Sequence, residues 1–425
     1  MTKHSLVSGL AVLVLALIWS AANLSASAQS ERPTRLLRQF QEAQLKLQND
    51  FDRDVNNGKA QPFEWESRSE GLKKILASKM TGYRVADWKG EDLLSLYSLY
   101  LQADLYAQAI EAGRVYLKSD SKSRFAEAVR NGVIRSLIEL EQVEEAQKLL
   151  DELFQERPET IFQVASRIGL YRAIVLVWRN LGRYDMVAKQ AGRGFDLKLP
   201  KNRFSNSEQR LSDNMLRDRL SLAADFVSAQ ERLMFKKEAD AFHKRVLATE
   251  FEEQAVLQSF YESELAAARL LFTPAPELDA PRWISSEAVK IANLKGKVVL
   301  LDFWAMWCSQ CTAAFPEWRE LQKKYAAKGL EIIGITSLFG RSDSAEGLTR
   351  EQELNALRNF KTKHQLNYPL GAGKMDDVTN NERYGIANLP TVVLIDRRGN
   401  IRHFKTGVGE YRKLEKVIEK LLAQN

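Results

Sequence analysis

A proline-rich segment, FTPAPELDAPRW at residues 272–283, divides this chain into two parts with different hydrophobic patterns. Its three prolines cannot continue a helix and they bias their neighbours to an extended backbone. Before this segment, apolar residues recur every three or four positions and prolines are few, which is typical of helices. After it, short apolar runs alternate with helical patterns, which predicts an α/β layered sheet. The sequence therefore predicts two domains, all-helical over 29–271 and α/β over 272–425.

The first 28 residues have the features of an export signal. Lys3 precedes an apolar run at 6–22, and Ala26-Ser27-Ala28 offers small residues of the kind that signal peptidase selects. The run is shorter than the roughly 20 residues that comfortably span a bilayer. We therefore expect cleavage after Ala28, with an uncleaved membrane anchor as the alternative. Either way the protein is expected to be periplasmic or otherwise exported.

Three segments of the helical part, at 101–117, 139–154 and 179–195, can be laid over one another. Each places an aromatic or branched residue three positions before a small or branched one: Tyr106 and Ala109, Val143 and Ala146, Tyr184 and Val187. The small residue would let paired helices approach closely. The periods, 37 and 41 residues, resemble those of tetratricopeptide repeats, which run near 34. A repeat array would offer a concave surface to a protein or peptide partner, and an irregular helical domain is the alternative.

The α/β part contains four runs typical of strands and four typical of helices. The predicted strands are 297–305, 329–337, 391–396 and 400–407, and the predicted helices are 309–327, 349–365, 376–385 and 410–424. The last two strands surround Arg397-Arg398-Gly399 and predict a hairpin. The expected fold is a central sheet flanked by helices.

The only two cysteines, Cys308 and Cys311, have two residues between them. A structural disulfide across so short a loop would constrain little of the unfolded chain. Two thiolates do not complete the tetrahedral coordination of zinc, and no histidine has ligand-like spacing near them. Copper(I) suits two thiolates, but no Met or His cluster supports it. Redox chemistry is the leading interpretation, with no metal and no cofactor beyond a redox-active disulfide.

The position of Cys308 favours the role of nucleophile. It follows a predicted strand and opens a predicted helix, so helix amides and the helix dipole would face its sulfur and lower its pKa. Cys311, one turn later, would resolve a mixed disulfide formed on Cys308. Asp302 lies on an apolar strand, where a lone carboxylate is costly, and beneath the pair it could accept the proton of Cys311. The alternative is an aspartate at a strand end that faces water.

A proline in ANLPTVVLID is a candidate for the substrate groove. Pro390 stands directly before a predicted strand and follows Leu389. A cis proline there would place an extended backbone edge beside the disulfide, where a substrate chain can pair with it. The sequence does not determine the isomer.

Taken together, these motifs resemble the thioredoxin superfamily. The resemblance rests on FWAMWCSQC, on Pro316 in the following helix, on the strand after Pro390 and on LIDRRGNI. The lead-in APRW followed by LKGKVVLLDFWA, together with a helical insert at about 347–383, is similar to the exported TlpA/ResA-type branch. The similarity covers 272–425, about a third of the chain.

The resemblance implies a role for each candidate residue. Cys308 and Cys311 would be the catalytic pair and would form the redox-active disulfide, with Asp302 assisting proton transfer. Trp307 would flank the reactive sulfur. Leu389 and Pro390 would shape the substrate groove.

The predicted function is that of an exported thiol-disulfide oxidoreductase that reduces protein disulfides, draws electrons from a donor at the membrane and binds a partner through its helical part. The alternative is a helical scaffold whose thioredoxin-like domain serves only as a binding module. A peroxidase is a third possibility, although WCSQC differs from the pattern of peroxiredoxins. The formal net charge of +7 is scattered and forms no aromatic-interleaved basic stripe, so no nucleic-acid partner is expected.

Overall fold

The chain divides into two compact units, Met1–His243 and Lys244–Asn425. The predicted export signal at 1–28 lies outside the residues that the structure describes. The structure is a computed structural model that describes residues 31–60, 64–155, 160–197, 206–248, 254–284, 286–375, 379–407, 409 and 411–424.

The first unit is helical throughout its described residues, as its apolar periodicity predicted. Nine α-helices lie within the described part of this unit, and the next helix, Lys236–Leu247, crosses its boundary at His243. The helices are α1 Pro33–Asn56, α2 Glu64–Lys79, α3 Gly90–Gln102, α4 Tyr106–Ser119, α5 Ala126–Glu139, α6 Val143–Gln155, α7 Ile161–Asn180, α8 Tyr184–Phe195, α9 Asn206–Arg232 and α10 Lys236–Leu247.

Five turns between successive helices share one backbone hydrogen-bonding pattern. Each contains a residue of positive φ, namely Gly58, Asp104, Glu141, Gly182 or Met234. That residue donates its N–H to the carbonyl three positions back, and the next residue donates to the carbonyl five positions back. This is the hydrogen bonding of a Schellman-type helix end, for which glycine is the usual residue. Only two of the five turns have glycine, so the turn residues alone give a weak signal of the repetition.

Small side chains line the contacts between neighbouring helices of this unit. Ala109 and Ala146 are fully buried, as the aligned segments predicted. At Gly194 a β-carbon would lie 2.6 Å from Leu222 and 2.9 Å from Tyr171, closer than van der Waals contact permits. Helix α7 is long and apolar enough to span a membrane by length and composition, but half of its apolar stretch is buried inside the unit. It is therefore read as a core helix.

The second unit contains a six-stranded sheet. Its elements are α11 Gln254–Leu270, β1 Arg282–Ile284, β2 Val298–Phe303, α12 Ser309–Tyr325, β3 Leu330–Leu338, α13 Arg350–Lys363, β4 Leu370–Met375, α14 Thr379–Tyr384, β5 Thr391–Ile395, β6 Ile401–Thr406 and α15 Tyr411–Ala423. The strand order is β1-β4-β3-β2-β5-β6. Strands β2, β3 and β4 are mutually parallel, whereas β1, β5 and β6 pair antiparallel to their neighbours.

The two faces of the sheet carry different helices. Alternate residues of β2 point to opposite faces, so Val299, Leu301 and Phe303 lie on one side. There they join a core with Leu271 and Tyr384, from the ends of α11 and α14. Asp302 is on the opposite side, where α12 packs on the sheet. The predicted central sheet flanked by helices is confirmed.

Two short strands were absent from the sequence prediction. Strand β4 reads LGAGKM, and glycine has a low intrinsic preference for strands. It is nevertheless an inner strand of the sheet, between β1 and β3. A side chain at Gly371 would not fit, because a β-carbon there would lie 2.9 Å from Ala280 and 3.1 Å from Ile335. Close packing of the sheet therefore selects glycine at this position of the strand.

The helix before the proline-rich segment belongs to the sheet unit. The Ser263 hydroxyl on α11 donates to the Gly385 carbonyl at 2.8 Å, and a β-carbon at Gly385 would lie 2.7 Å from Ala266. Leu271 is 4% exposed in the sheet core. The pattern change predicted at residue 272 marks a change in secondary structure, while the two compact units divide between His243 and Lys244.

Candidate active site

Cys308 caps the helix that follows the central strand. Its N–H donates to the Ala305 carbonyl at 3.1 Å, which turns the chain out of β2, and α12 begins at the next residue. The Cys308 sulfur accepts a hydrogen bond from the Cys311 N–H at 3.1 Å. A helix N-terminus carries unpaired N–H groups and the positive end of the helix dipole. The sulfur thus lies in the environment that favours a thiolate.

The two cysteines form a disulfide and are unequally exposed. The S–S distance is 2.04 Å and the Cα–Cα distance is 5.2 Å. Cys308 is 9% exposed and Cys311 is 1% exposed. Ser309 and Gln310, which lie between them, are exposed. A substrate therefore has access to Cys308 before Cys311.

Asp302 is buried beneath helix α12. It is 1% exposed, and neither carboxylate oxygen has a hydrogen bond of normal geometry within the described part of the chain. Burial raises the pKa of Asp302 to about 8, and the indole N–H of Trp318 partly offsets that rise. Trp318 lies two helical turns after Cys311, on the same buried face of α12. Asp302 therefore lies under the helix face that carries Cys311. The alternative, an aspartate at a strand end facing water, is wrong, because the side chain is buried.

Trp304 and Tyr368 pack over Gly334, the register partner of Asp302 on the neighbouring strand β3. A β-carbon at Gly334 would lie 2.9 Å from Nε1 of Trp304 and 3.4 Å from Cε2 of Tyr368. The Tyr368 hydroxyl and the indole nitrogens of Trp304 and Trp318 are buried without hydrogen-bond partners among the described residues. Burial, and secondarily the Asp302 charge, raise the pKa of Tyr368 well above its usual value. Tyr368 thus remains a neutral phenol.

Sequence reasoning did not find Tyr368 as a residue of this site. Tyr368 stands just before β4, a strand that the sequence pattern did not reveal. No local motif connects it with Asp302, because the two meet only when β2, β3 and β4 assemble.

Trp307 is the exposed aromatic residue at the site. It directly precedes Cys308 and is 38% exposed. The guanidinium carbon of Arg341 lies 4.1 Å from its ring centroid, and the ring of Phe339 approaches edge-on at 5.5 Å. Arg341 and Phe339 follow β3 and were not predicted as site residues. The sequence offers one indication of them: they directly follow β3, and the cysteines follow β2, which is parallel to β3, so both segments leave the sheet at the same end.

Leu389 and Pro390 lie at the same edge of the sheet. Thr391, the first residue of β5, pairs with Phe303, the last residue of β2. Pro390 is therefore brought to the strand end from which the chain leads to Cys308. The Leu389–Pro390 peptide bond is cis, and the Pro390 carbonyl accepts from the Gly407 N–H at 2.8 Å. Pro390 is buried and Leu389 is half-buried.

The charged and thiol side chains of the described ranges form no metal-binding group. No three His, Cys, Asp or Glu side chains among them are placed to hold an ion. The sequence-based expectation that the site uses no metal stays a prediction.

Comparison with known proteins finds similarity over about a third of this chain. Residues 272–404 match the model of the AhpC/TSA family. Thiol-disulfide oxidoreductase ResA of Bacillus thuringiensis subsp. konkukian is 28% identical over 147 residues, which are 34% of this chain and 76% of that protein. Thioredoxin-like protein YneN of Bacillus subtilis is 28% identical over 136 residues, 32% of this chain and 72% of its own.

Solved structures give a similar coverage. A thiol-disulfide isomerase from Corynebacterium glutamicum shares 24% identity and covers 36% of this chain and 98% of its own, with a TM-score of 0.31. A TM-score this low carries no argument about function. The family match and the two relatives leave most of the helical unit uncovered.

Proposed function

Because the C-terminal third of this chain is a thioredoxin-like domain of the thiol-disulfide oxidoreductase class, as its motifs predicted, we propose that the protein reduces disulfide bonds of exported proteins through Cys308 and Cys311. One observation carries the proposal: the two sulfurs are joined at the N-terminus of helix α12, and the same helix covers the buried carboxyl group of Asp302 through Trp318. A disulfide with a purely structural role would not require a buried carboxyl group nearby, and burying such a group is energetically unfavourable.

The chemistry proceeds in two displacements at sulfur. The Cys308 thiolate attacks one sulfur of the substrate disulfide, whose S–S bond breaks, and the departing sulfur leaves as a thiolate and takes a proton. Cys311 then loses its proton to Asp302 and attacks the Cys308 sulfur, which releases the second substrate sulfur. Two electrons have passed: the substrate is a dithiol and the protein holds the Cys308–Cys311 disulfide.

Asp302 suits the proton transfer because its pKa of about 8 lies close to neutral pH. An acid–base group works best when its pKa lies near the working pH. At pH 7 a minority of molecules carry the carboxylate that accepts the proton of Cys311, and the protonated majority serves the reverse reaction. Asp302 thus assists the resolving step in both directions.

The remaining site residues would guide the substrate. Trp307 flanks the sulfur that is attacked, and Leu389 and Pro390 form the opposite wall of the groove, where the backbone can pair with a substrate chain. The site lies where β2 ends and β5 begins, and an extended segment of another protein could bind across these strand ends.

The helical unit would recruit or orient the protein partner. Its five helix hairpins with the same turn pattern support a tetratricopeptide-like array, and such arrays bind proteins or peptides on a concave surface. A helical scaffold whose redox domain only binds remains the competing hypothesis. It predicts that replacing both cysteines leaves the cellular function intact.

The location we propose is outside the cytoplasm, either in the periplasm or tethered to the membrane by an uncleaved signal. The N-terminal sequence, with its basic start, apolar run and small residues before position 29, supports it. Each turnover leaves the Cys308–Cys311 pair as a disulfide, and an oxidising compartment does not reduce it again. A dithiol donor at the membrane would therefore restore the reduced form.

Insulin reduction tests the proposed function. The full chain should accelerate the reduction of insulin by dithiothreitol, and Cys308→Ala should abolish the acceleration. No acceleration by the wild-type protein would refute the proposal. Rapid consumption of hydrogen peroxide by the reduced protein would instead identify a peroxidase.

A further inference from the structure

An arginine covers the tryptophan beside the reactive cysteine. The guanidinium carbon of Arg341 lies 4.1 Å from the ring centroid of Trp307, and Trp307 directly precedes Cys308. A cation within about 6 Å of an indole face is attracted by the ring quadrupole. Arg341 therefore has a defined position at the rim of the site.

Hydrogen bonds to a buried side chain hold the segment that carries Arg341. The buried carboxylate of Glu353, 1% exposed, accepts from the N–H groups of Phe339 and Gly340 at 2.9 and 2.8 Å. The Leu348 N–H donates to the Gly340 carbonyl at 2.7 Å. These bonds close the loop 339–348 at its base. The loop holds Arg341 in place before any substrate arrives.

The charge of Arg341 is only weakly compensated. Its nearest recorded carboxylate belongs to Glu346, with an N–O distance of 4.0 Å, and the Glu346 side chain is 85% exposed. Ion pairs this exposed are worth little. A guanidinium stacked on an aromatic ring keeps the in-plane N–H donors that bind a carboxylate. Arg341 can therefore bind an incoming acidic side chain.

We propose that Arg341 is a specificity-determining residue, which favours protein disulfides that carry an acidic residue beside the cysteine attacked by Cys308. The inference rests on the proposed function. A substrate must bring its sulfur to Cys308, so the residue flanking that sulfur passes over Trp307 and meets the guanidinium. A basic flanking residue at the same place meets a like charge.

Two disulfide-linked peptides that differ only in Glu or Lys beside the target cysteine test this. The quantity to measure is the ratio of kcat/KM for the Glu peptide to that for the Lys peptide, with the full-length protein. An exposed charge pair changes such a rate constant by about two- to fivefold. The wild type should prefer the Glu peptide by this factor, and the preference should shrink in high salt because exposed charges are screened.

Variants separate the charge from the fold. Arg341→Gln should abolish the preference, Arg341→Glu should reverse it, and Arg341→Lys should retain part of it. Arg358→Gln is the matched control, since it removes one exposed positive charge from α13 and should keep the wild-type ratio. An unchanged ratio in Arg341→Gln, or an equal loss in Arg358→Gln, would overturn the inference.

A binding measurement keeps this result separate from the proposed function. The same two peptides with serine in place of cysteine are titrated into the oxidised full-length protein. Tighter binding of the Glu peptide that is lost in Arg341→Gln supports the inference even if neither disulfide is reduced, an outcome that would refute only the reductase. Equal affinity for both peptides, including no binding of either, refutes the role of Arg341 whatever the reductase activity.

Discussion

Asp302 and Gly334 face each other across the two parallel strands at the centre of the sheet. The missing side chain at Gly334 leaves the space that Trp304, Tyr368 and Leu370 fill. The carboxyl group beneath the cysteines thus has neutral aromatic neighbours instead of water. Its raised pKa follows from this packing.

Gly334→Ala is expected to destabilise the sheet unit. The added β-carbon would lie 2.5 Å from the Leu370 side chain and 2.9 Å from the Trp304 indole nitrogen, and overpacking of this kind typically costs about 1–3 kcal/mol. Gly373→Ala is the control, because its β-carbon would meet nothing closer than 3.5 Å. Denaturant unfolding measures both; equal stability of the two variants would contradict the packing described here.

Asp302→Asn is expected to stabilise the oxidised protein increasingly as the pH rises. Because the pKa of Asp302 is about 8 when folded and near 3.9 in an unfolded chain, the folded state retains the proton over this interval. Wild-type stability therefore falls from about pH 4 to pH 8. The variant lacks this loss, so its advantage should grow by on the order of 3 kcal/mol between pH 5 and pH 8.

Denaturant titration at the two pH values, followed by tryptophan fluorescence, measures that advantage. A constant difference between variant and wild type at both pH values would mean that Asp302 is not protonated in the folded protein.

Single cysteine variants should separate the two thiols. Cys311→Ser leaves the attacking thiol without a resolving partner, so mixed disulfides should accumulate on Cys308. Cys308→Ser leaves the more buried thiol and should trap little or nothing. Non-reducing gels of thiol-quenched extracts give the comparison, and equal trapping by the two variants would remove the assigned roles.

The redox potential is expected in the reducing range. Ser309 and Gln310 bring no charge to stabilise the Cys308 thiolate, which leaves the helix N-terminus as its main stabiliser. Because thiolate stabilisation favours the reduced form, the potential should lie nearer that of thioredoxin, roughly −270 mV, than that of a strong oxidant, roughly −120 mV. Equilibration with glutathione measures it. A potential above roughly −180 mV would make the protein a disulfide donor.

Leu271→Ala is expected to destabilise the sheet unit, although the residue precedes the proline-rich segment. Leu271 is buried in the sheet core, and truncation of a buried leucine typically costs about 2–5 kcal/mol. Val256→Ala, on the preceding helix α11 but 53% exposed, should cost less than about 1 kcal/mol. Loss of reductase activity at lower denaturant concentration in Leu271→Ala alone would confirm that this segment belongs to the redox unit.

The sequence alone determined the features that depend on local pattern. Each of three elements depends on a contiguous stretch of sequence: strand β2, the helix that begins after Cys308, and the hairpin of β5 and β6. In the structure they begin and end within two or three residues of the predicted positions. The pair Cys308 and Cys311 follows from the same local reading, since a helix start places both thiols within one turn.

Only the tertiary structure decided the features made by residues far apart in the chain. Strand β4 has poor local propensity, and its Gly371 fits between packed neighbours where a side chain would not. Tyr368 joins Asp302, and Arg341 covers Trp307, only once parallel strands bring their ends to one edge. Helix α11 resembles the helices before it in pattern, yet it packs with the sheet. The periodicity of apolar residues predicts which face of a segment is buried. Which other element packs against that face depends on close packing in the folded protein.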